Sequence, residues 1–273
     1  MSQSDPQVRF DYRSTFDSEA YDYEKASRLY WGFTSQRILR RLVIQPGSKV
    51  LDIACGTGAS AILAAEQVGP LGHVLAVDTS EQMLALAHLK AHQRELENID
   101  FLLADMRRLD LPGAQFSAVL CILGIFYAED LVDEVSRLWR LTAPGGKLAI
   151  VTPGPDLFKP VFEQWKAAVL AECPDFHIAQ PWERATDPDR VRQMLLESGA
   201  LNSEVILEPN LISLRRPEDW WTIVLGFTTR ETMRELSPES SKRVQEKCLA
   251  WIRSNQISHL SFNVIYAIAE KKG

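Results

Sequence analysis

VLDIACGTGAS, residues 50–60, decides the fold. Val50, Leu51 and Ile53 around Asp52 make a short buried strand, Gly56 and Gly58 make a turn, and ASAILAAEQV opens a helix. Glycine supplies the left-handed backbone that such a turn needs and lets a ligand come close. Outward from this point the pattern repeats. Strands are expected at 49–53, 72–77, 99–104, 116–123 and 147–152, and helices at 59–68, 80–96 and 129–141. Alternation of this kind gives a parallel sheet with helices on both faces. The unbroken apolar run at 118–122 suits a strand buried on both sides. Upstream, apolar residues at helical spacing predict one or two helices within 18–44, ended by Pro46-Gly47. Downstream the alternation dissolves. A proline- and aromatic-rich segment fills 153–186, followed by a helix at 187–198 and a strand at 204–213. Two helices occupy 217–256 with a break at Ser237-Pro238, and a last strand covers 262–269.

A helix that starts at the turn offers free N–H groups to a polar or anionic ligand edge. Asp78, after the next strand, suits the two hydroxyls of an adenosine ribose. Gly56-Thr57-Gly58-Ala59-Ser60-Ala61 also satisfies G-x-G-x-x-G/A, so NAD and S-adenosylmethionine (SAM) both remain open. Three features bear on the choice. Asp52, inside the turn signature, can hold an ammonium group and would repel a pyrophosphate. Asp105-Met106, after the third strand, offers a carboxylate to an adenine amino group and a backbone N–H to a ring nitrogen. Pro144-Gly145-Gly146-Lys147 introduces the fifth strand.

Together the segments VLDIACGTG, AVDTSEQML, FLLADMRRLDLP, FSAVLCILGIF and LWRLTAPGGKLAIVTP, over residues 48–152, resemble the class I SAM-dependent methyltransferases. Within that class they look like the ubiquinone/menaquinone-biosynthesis (methyltransferase type 11) branch. The resemblance implies an α/β, Rossmann-like, doubly wound sheet of seven mostly parallel strands, with an antiparallel last strand and a helical lid. It implies that Ala54, Gly56 and Gly58 line the methionine end of SAM, with Asp52 and Cys55 in the same turn. It implies that Asp78, with Thr79 beside it, grips the ribose and that Met83 packs on the adenine side. Ala104, Asp105 and Met106 would read adenine, and the Cys121 backbone would lie near the sulfonium. One departure is Ala54, where the commoner D-x-G-x-G-x-G pattern has its first glycine. The product would be S-adenosylhomocysteine (SAH). The organisation expected is an N-terminal helical lid at 1–45, a SAM-binding core at 46–155, and the rest of the sheet with two substrate-side inserts at 156–273, all one domain.

Ligands of open α/β sheets bind beyond the C-terminal strand ends. Three aromatic-bearing segments are expected at that mouth: the N-terminal helices with Tyr21, Tyr23, Tyr30, Trp31 and Phe33, and the two inserts with Phe158, Phe162, Trp165, Phe176, Trp182, Trp220, Trp221 and Phe227. They read as an apolar lid over a small-molecule acceptor, or as the lid's own packing core. Base candidates, should the acceptor need one, are His177, Tyr23 and Tyr30. The strand-four end, CILGIFYAED, lacks the Asn/Asp-Pro-Pro-aromatic motif usual in methyltransferases of DNA bases. His88 and His92 have metal-ligand spacing but no third ligand in sequence, so no metal site is expected.

Composition narrows the field further. Thirty basic and 36 acidic residues leave a net charge of −6, which disfavours nucleic acid. Cys55, Cys121, Cys173 and Cys248 are scattered and read as reduced thiols. No signal peptide or membrane-spanning run appears, so a cytoplasmic monomer or homodimer is expected. The rival classes are an NAD-dependent oxidoreductase and a catalytically silent SAM-binding protein.

Overall fold

The structure is a computed structural model and describes residues 20–273. The part of the expected lid at 1–19 lies outside the described residues. Helical residues 20–26 pass into a π turn at Ser27–Trp31, together α1, and Phe33–Leu42 form α2. Then come β1 (Lys49–Ile53), α3 (Ala59–Val68), β2 (His73–Asp78), α4 (Glu81–His92), β3 (Ile99–Leu103), β4 (Phe116–Ile122), α5 (Leu131–Leu141) and β5 (Thr142–Pro153). The remainder is α6 (Val161–Glu172), α7 (Pro188–Glu197), β6 (Ser203–Glu208), β7 (Leu211–Ser213), α8 (Asp219–Leu225), α9 (Thr229–Glu235), α10 (Pro238–Ser254), β8 (His259–Ser261) and β9 (Val264–Glu270).

Local chemistry sets the helix starts. The Ser80 hydroxyl accepts from Met83 N–H, the Asp130 carboxylate from Asp133 N–H, and the Ser237 hydroxyl from Ser240 N–H. Each satisfies one of the orphan donors of a first turn. Pro188 and Pro238 occupy the first helical position, where a missing N–H costs nothing.

Seven strands form one sheet in the order β3-β2-β1-β4-β5-β9-β6. Only β9 runs antiparallel to its neighbours, as expected of the last strand. Registers align the C-terminal ends: Asp78 pairs with Leu103, Ile53 with Val77 and Cys121, and Pro153 with Val264, which faces Glu208 on its other side. The inserts after β5 and β6 therefore leave and return at the edge where β1 to β4 end.

The structure refines two boundaries. The expected strand 204–213 breaks after Glu208, because Pro209 has no N–H to continue a ladder. Its second half pairs with β8 in a separate two-stranded sheet. The segment 217–256 holds three helices, with an additional break at Gly226, where a Cβ would lie 2.3 Å from Ala26 Cβ. The rings of Trp31, Phe158, Phe227 and Phe262 meet with centroids 5.4–6.5 Å apart, and Phe162, Trp182 and Trp220 extend the cluster. Most of these side chains are buried, so the aromatics of α1 and both inserts form a common core. No described helix is long and apolar enough to cross a membrane.

Candidate cofactor site

The glycine turn stands where β1 ends. Ala54, Gly56 and Gly58 all have positive φ, at 56°, 53° and 79°. Ala54 bears the cost of that conformation in place of a glycine, and its Cβ fills the space over Gly124, where a second Cβ would sit 2.5 Å away. The two glycines serve different neighbours. A Cβ on Gly58 would lie 3.0 Å from Ala87 Cβ and 3.2 Å from Ile62 Cδ1, so this glycine lets α3 and α4 pack. A Cβ on Gly56 would meet only the Tyr23 ring, at 3.6–3.8 Å. Of the pair, Gly56 is the one whose open side faces the mouth of the sheet.

Asp78 locks this turn. Its Oδ2 accepts from Gly56 N–H at 2.7 Å and its Oδ1 from Ser80 N–H at 3.0 Å. Thr79 is half-buried between them in sequence. Asp52 is fully buried and works from beneath, with Oδ2 accepting from the Ser60 hydroxyl at 2.6 Å in the first turn of α3. Its Oδ1 is buried without a hydrogen-bond partner. Burial, reinforced by nearby Asp78, lifts the Asp52 carboxyl up to about 7 against the Ser60 bond. Cys55 donates its backbone N–H to Val77 O, and Cys121 is fully buried on β4. Desolvation pushes both thiols well up, so neither is a nucleophile.

On the other flank, Ala104 N–H donates to Asp78 O at 3.0 Å and places Asp105-Met106 beside the end of β2. The Asp105 carboxylate accepts from Arg107 Nε and Nη2, and this guanidinium holds it below the usual carboxylate range. Met106 O accepts from Arg137. Met83 is buried with Ala20, Leu86 and Tyr23, so it supports α1.

The three base candidates fall in different places. His177 is exposed on the loop after α6. A base for methyl transfer must work where water is excluded, and this position does not provide that. The Tyr30 hydroxyl points into the second insert, 3.5 Å from Asp219 O. Only Tyr23 reaches the glycine turn. Burial pushes its phenol up to about 12, with Asp78 and Glu24 adding to the effect against a bond from Trp31. Tyr23 thus stays protonated at neutral pH, a donor and not a base.

Sequence reasoning missed the residues that hold α1 down. Glu24 Oε2 accepts from the buried Thr57 hydroxyl and from Lys90 Nζ at 2.9 Å. These residues lie 33 and 66 positions away, and no local pattern links them. Cavities of about 200 and 350 Å³ open between α5 and α7 and beside residues 106–113, and neither is lined by the turn.

The donor set fits the group that the sequence implies. Carboxylates stand at the end of β2 and after β3, a helix starts at the turn, and the Tyr23 ring lies over Gly56. Comparison with known proteins agrees. Residues 50–146 match the family model described as a methyltransferase domain. Demethylmenaquinone methyltransferase of Listeria welshimeri is 31% identical over 136 residues, covering 50% of this chain and 55% of that protein. The chain thus spans about half the length of the curated relatives it matches. Among solved structures, a Bacillus halodurans protein assigned as a methyltransferase superposes with a TM-score of 0.60 at 18% identity, over 88% of this chain and 99% of that one. Haemonchus contortus phosphoethanolamine N-methyltransferase 2, solved with phosphomonomethylethanolamine and SAH, gives 0.60 at 18% identity, over 98% of this chain and 62% of that one. At these identities the structures show a shared fold. Sheet order, glycine turn and family match coincide: the residues that match the methyltransferase-domain model, 50–146, run from β1 through the glycine turn into β5.

Proposed function

We propose that the protein is a SAM-dependent methyltransferase whose acceptor is a small hydrophobic or aromatic molecule of quinone-like type. The observation that carries this reading is the 2.7 Å contact between Gly56 N–H and the Asp78 carboxylate, covered by the Tyr23 ring. It fixes a carboxylate beside the glycine turn, at the end of β2, for the hydroxyls of a ribose, and the methyltransferase-domain match over residues 50–146 favours SAM over NAD. Asp105 and Met106 would meet the adenine, with Arg107 sharing the Asp105 carboxylate. SAM, when bound, supplies an electrophilic methyl group on a sulfonium. The protein's own share is alignment and exclusion of water. The aromatic core of α1 and the inserts supplies the dry side, and the Tyr23 phenol supplies a hydrogen-bond donor. The apolar roof and the likeness to demethylmenaquinone methyltransferases favour a ring-bearing acceptor.

Calorimetry tests the cofactor. SAM and SAH should bind at micromolar affinity, about −8 kcal/mol, with no heat from NAD. Incubation with SAM and a panel of reduced quinones should then give products one methyl heavier by mass spectrometry. Binding of NAD without SAM would overturn the reading.

A further inference from the structure

α1 touches two parts of the molecule at once, through Asp22, Glu24 and Ala26. Asp22 Oδ2 accepts from Arg230 Nη1 of α9 at 2.7 Å, tying α1 to the second insert. Ala26 packs so closely on the α8–α9 turn that only glycine fits at 226. Glu24 ties the same helix to the cofactor side, because its carboxylate takes both the Thr57 hydroxyl of the glycine turn and Lys90 Nζ of α4. The Glu24 and Lys90 side chains are 19% and 25% exposed, so water screens this pair weakly. Tyr23 lies between these anchors, and its ring covers Gly56.

We propose that Glu24 is the positioning residue of the site: by binding Thr57 and Lys90 it holds the Tyr23 phenol across the glycine turn and so controls passage of the cofactor and its product. This rests on the reading of the turn as a SAM site. A ligand at the turn is adjacent to Tyr23, so it leaves when α1 lifts, and α1 lifts when Glu24 lets go. The Asp22–Arg230 pair makes the hinge side, since it stays attached to the insert while Glu24 releases the turn. Thr57 serves as the sensor, because its hydroxyl belongs to the loop that a ligand touches.

The test is the dissociation rate of SAH from the full chain, followed by stopped-flow displacement, with urea unfolding as the check on stability. Glu24→Gln keeps an acceptor for Thr57 and removes the charge facing Lys90. It should release SAH about tenfold faster, the loss of one charge-assisted bond, with little change in the unfolding midpoint. Glu24→Asp, which restores the charge on a shorter arm, should recover part of the wild-type rate. Lys90→Met removes the same bond from the other side and should match Glu24→Gln, which keeps the test open should either variant fold poorly. Backbone amides of 20–31 should exchange faster with deuterium in both variants. SAH leaving Glu24→Gln and Lys90→Met at the wild-type rate overturns the proposal. A wild-type protein that binds no SAH at all overturns the cofactor reading instead, and this proposal with it.

Discussion

Gly58→Ala separates a packing glycine from a ligand-facing one. The added Cβ would lie 3.0 Å from Ala87 Cβ and 3.2 Å from Ile62 Cδ1, tighter than side chains normally tolerate. The first neighbour is rigid, since Ala87 sits fully buried on α4. Pushing α3 from α4 by a few tenths of an ångström is an overpacking cost of about 1–3 kcal/mol. The backbone at φ 79° adds the left-handed penalty of an L residue, about 1–2 kcal/mol. Together they predict a loss of about 2–5 kcal/mol, within the stability of an ordinary domain, so the variant should still fold. Urea unfolding should show a lower midpoint with an unchanged slope. SAH titration of the folded variant should give nearly the wild-type affinity, because nothing on the ligand side of the turn has changed. Gly56→Ala should show the opposite balance. Its Cβ meets only the Tyr23 ring at ordinary contact distance, so stability falls by the backbone penalty alone while SAH binding suffers. A Gly58→Ala protein with wild-type stability and no SAH binding would refute the assignment of that glycine to helix packing.

Further outcomes follow from the site. Asp52 is raised by burial to about 7, so the folded state keeps a proton that the unfolded chain gives up above about pH 4. Wild-type stability should therefore fall relative to Asp52→Asn as pH rises from about 4 to about 7, by up to about 4 kcal/mol in urea unfolding series. Asp78→Ala removes the acceptor for Gly56 and Ser80 N–H, which should cost about 1.5–3 kcal/mol per bond and weaken SAH by at least about tenfold in calorimetry. Tyr23→Phe should lower turnover without moving the pH–rate profile between about 6 and 9, since the phenol does not titrate there. His177→Ala should retain turnover within about twofold, and a larger loss in a rate assay would return His177 to the site.

The core of the fold was legible because its signals are local. β1 to β5 are short apolar runs ended by turn residues, and Ser80 and Ser237 mark helix starts by their own chemistry. The breaks that were missed come from tertiary demands. Residues 204–213 alternate well enough to be one strand, yet Pro209 sends the second half to β8. Gly226 gives way because α1 needs the space. In the site, Asp78 and Asp105 were readable from their places after successive strands. The packing of Met83 against Ala20 and Tyr23 was not legible, because it depends on where α1 lies. The pairing of Glu24 with Thr57 and Lys90 has no trace in any window of sequence, since three separate elements must first assemble to create it.

The placement of β9 between β5 and β6 dictates an order of assembly on the ribosome. β1 to β5 can pair as soon as they emerge, but β6 touches the sheet only through β9. Until residues 264–270 have been made, β5 presents an open ladder edge and β6 has no partner. The whole second insert is synthesised during that interval. The nascent chain therefore spends this time with two unsatisfied strands a short distance apart, the condition under which strand exchange between neighbouring chains competes with folding. Charged residues at the β6 surface, Glu204 and Glu208, the latter engaged by Arg37 and Arg41, are placed to discourage that exchange.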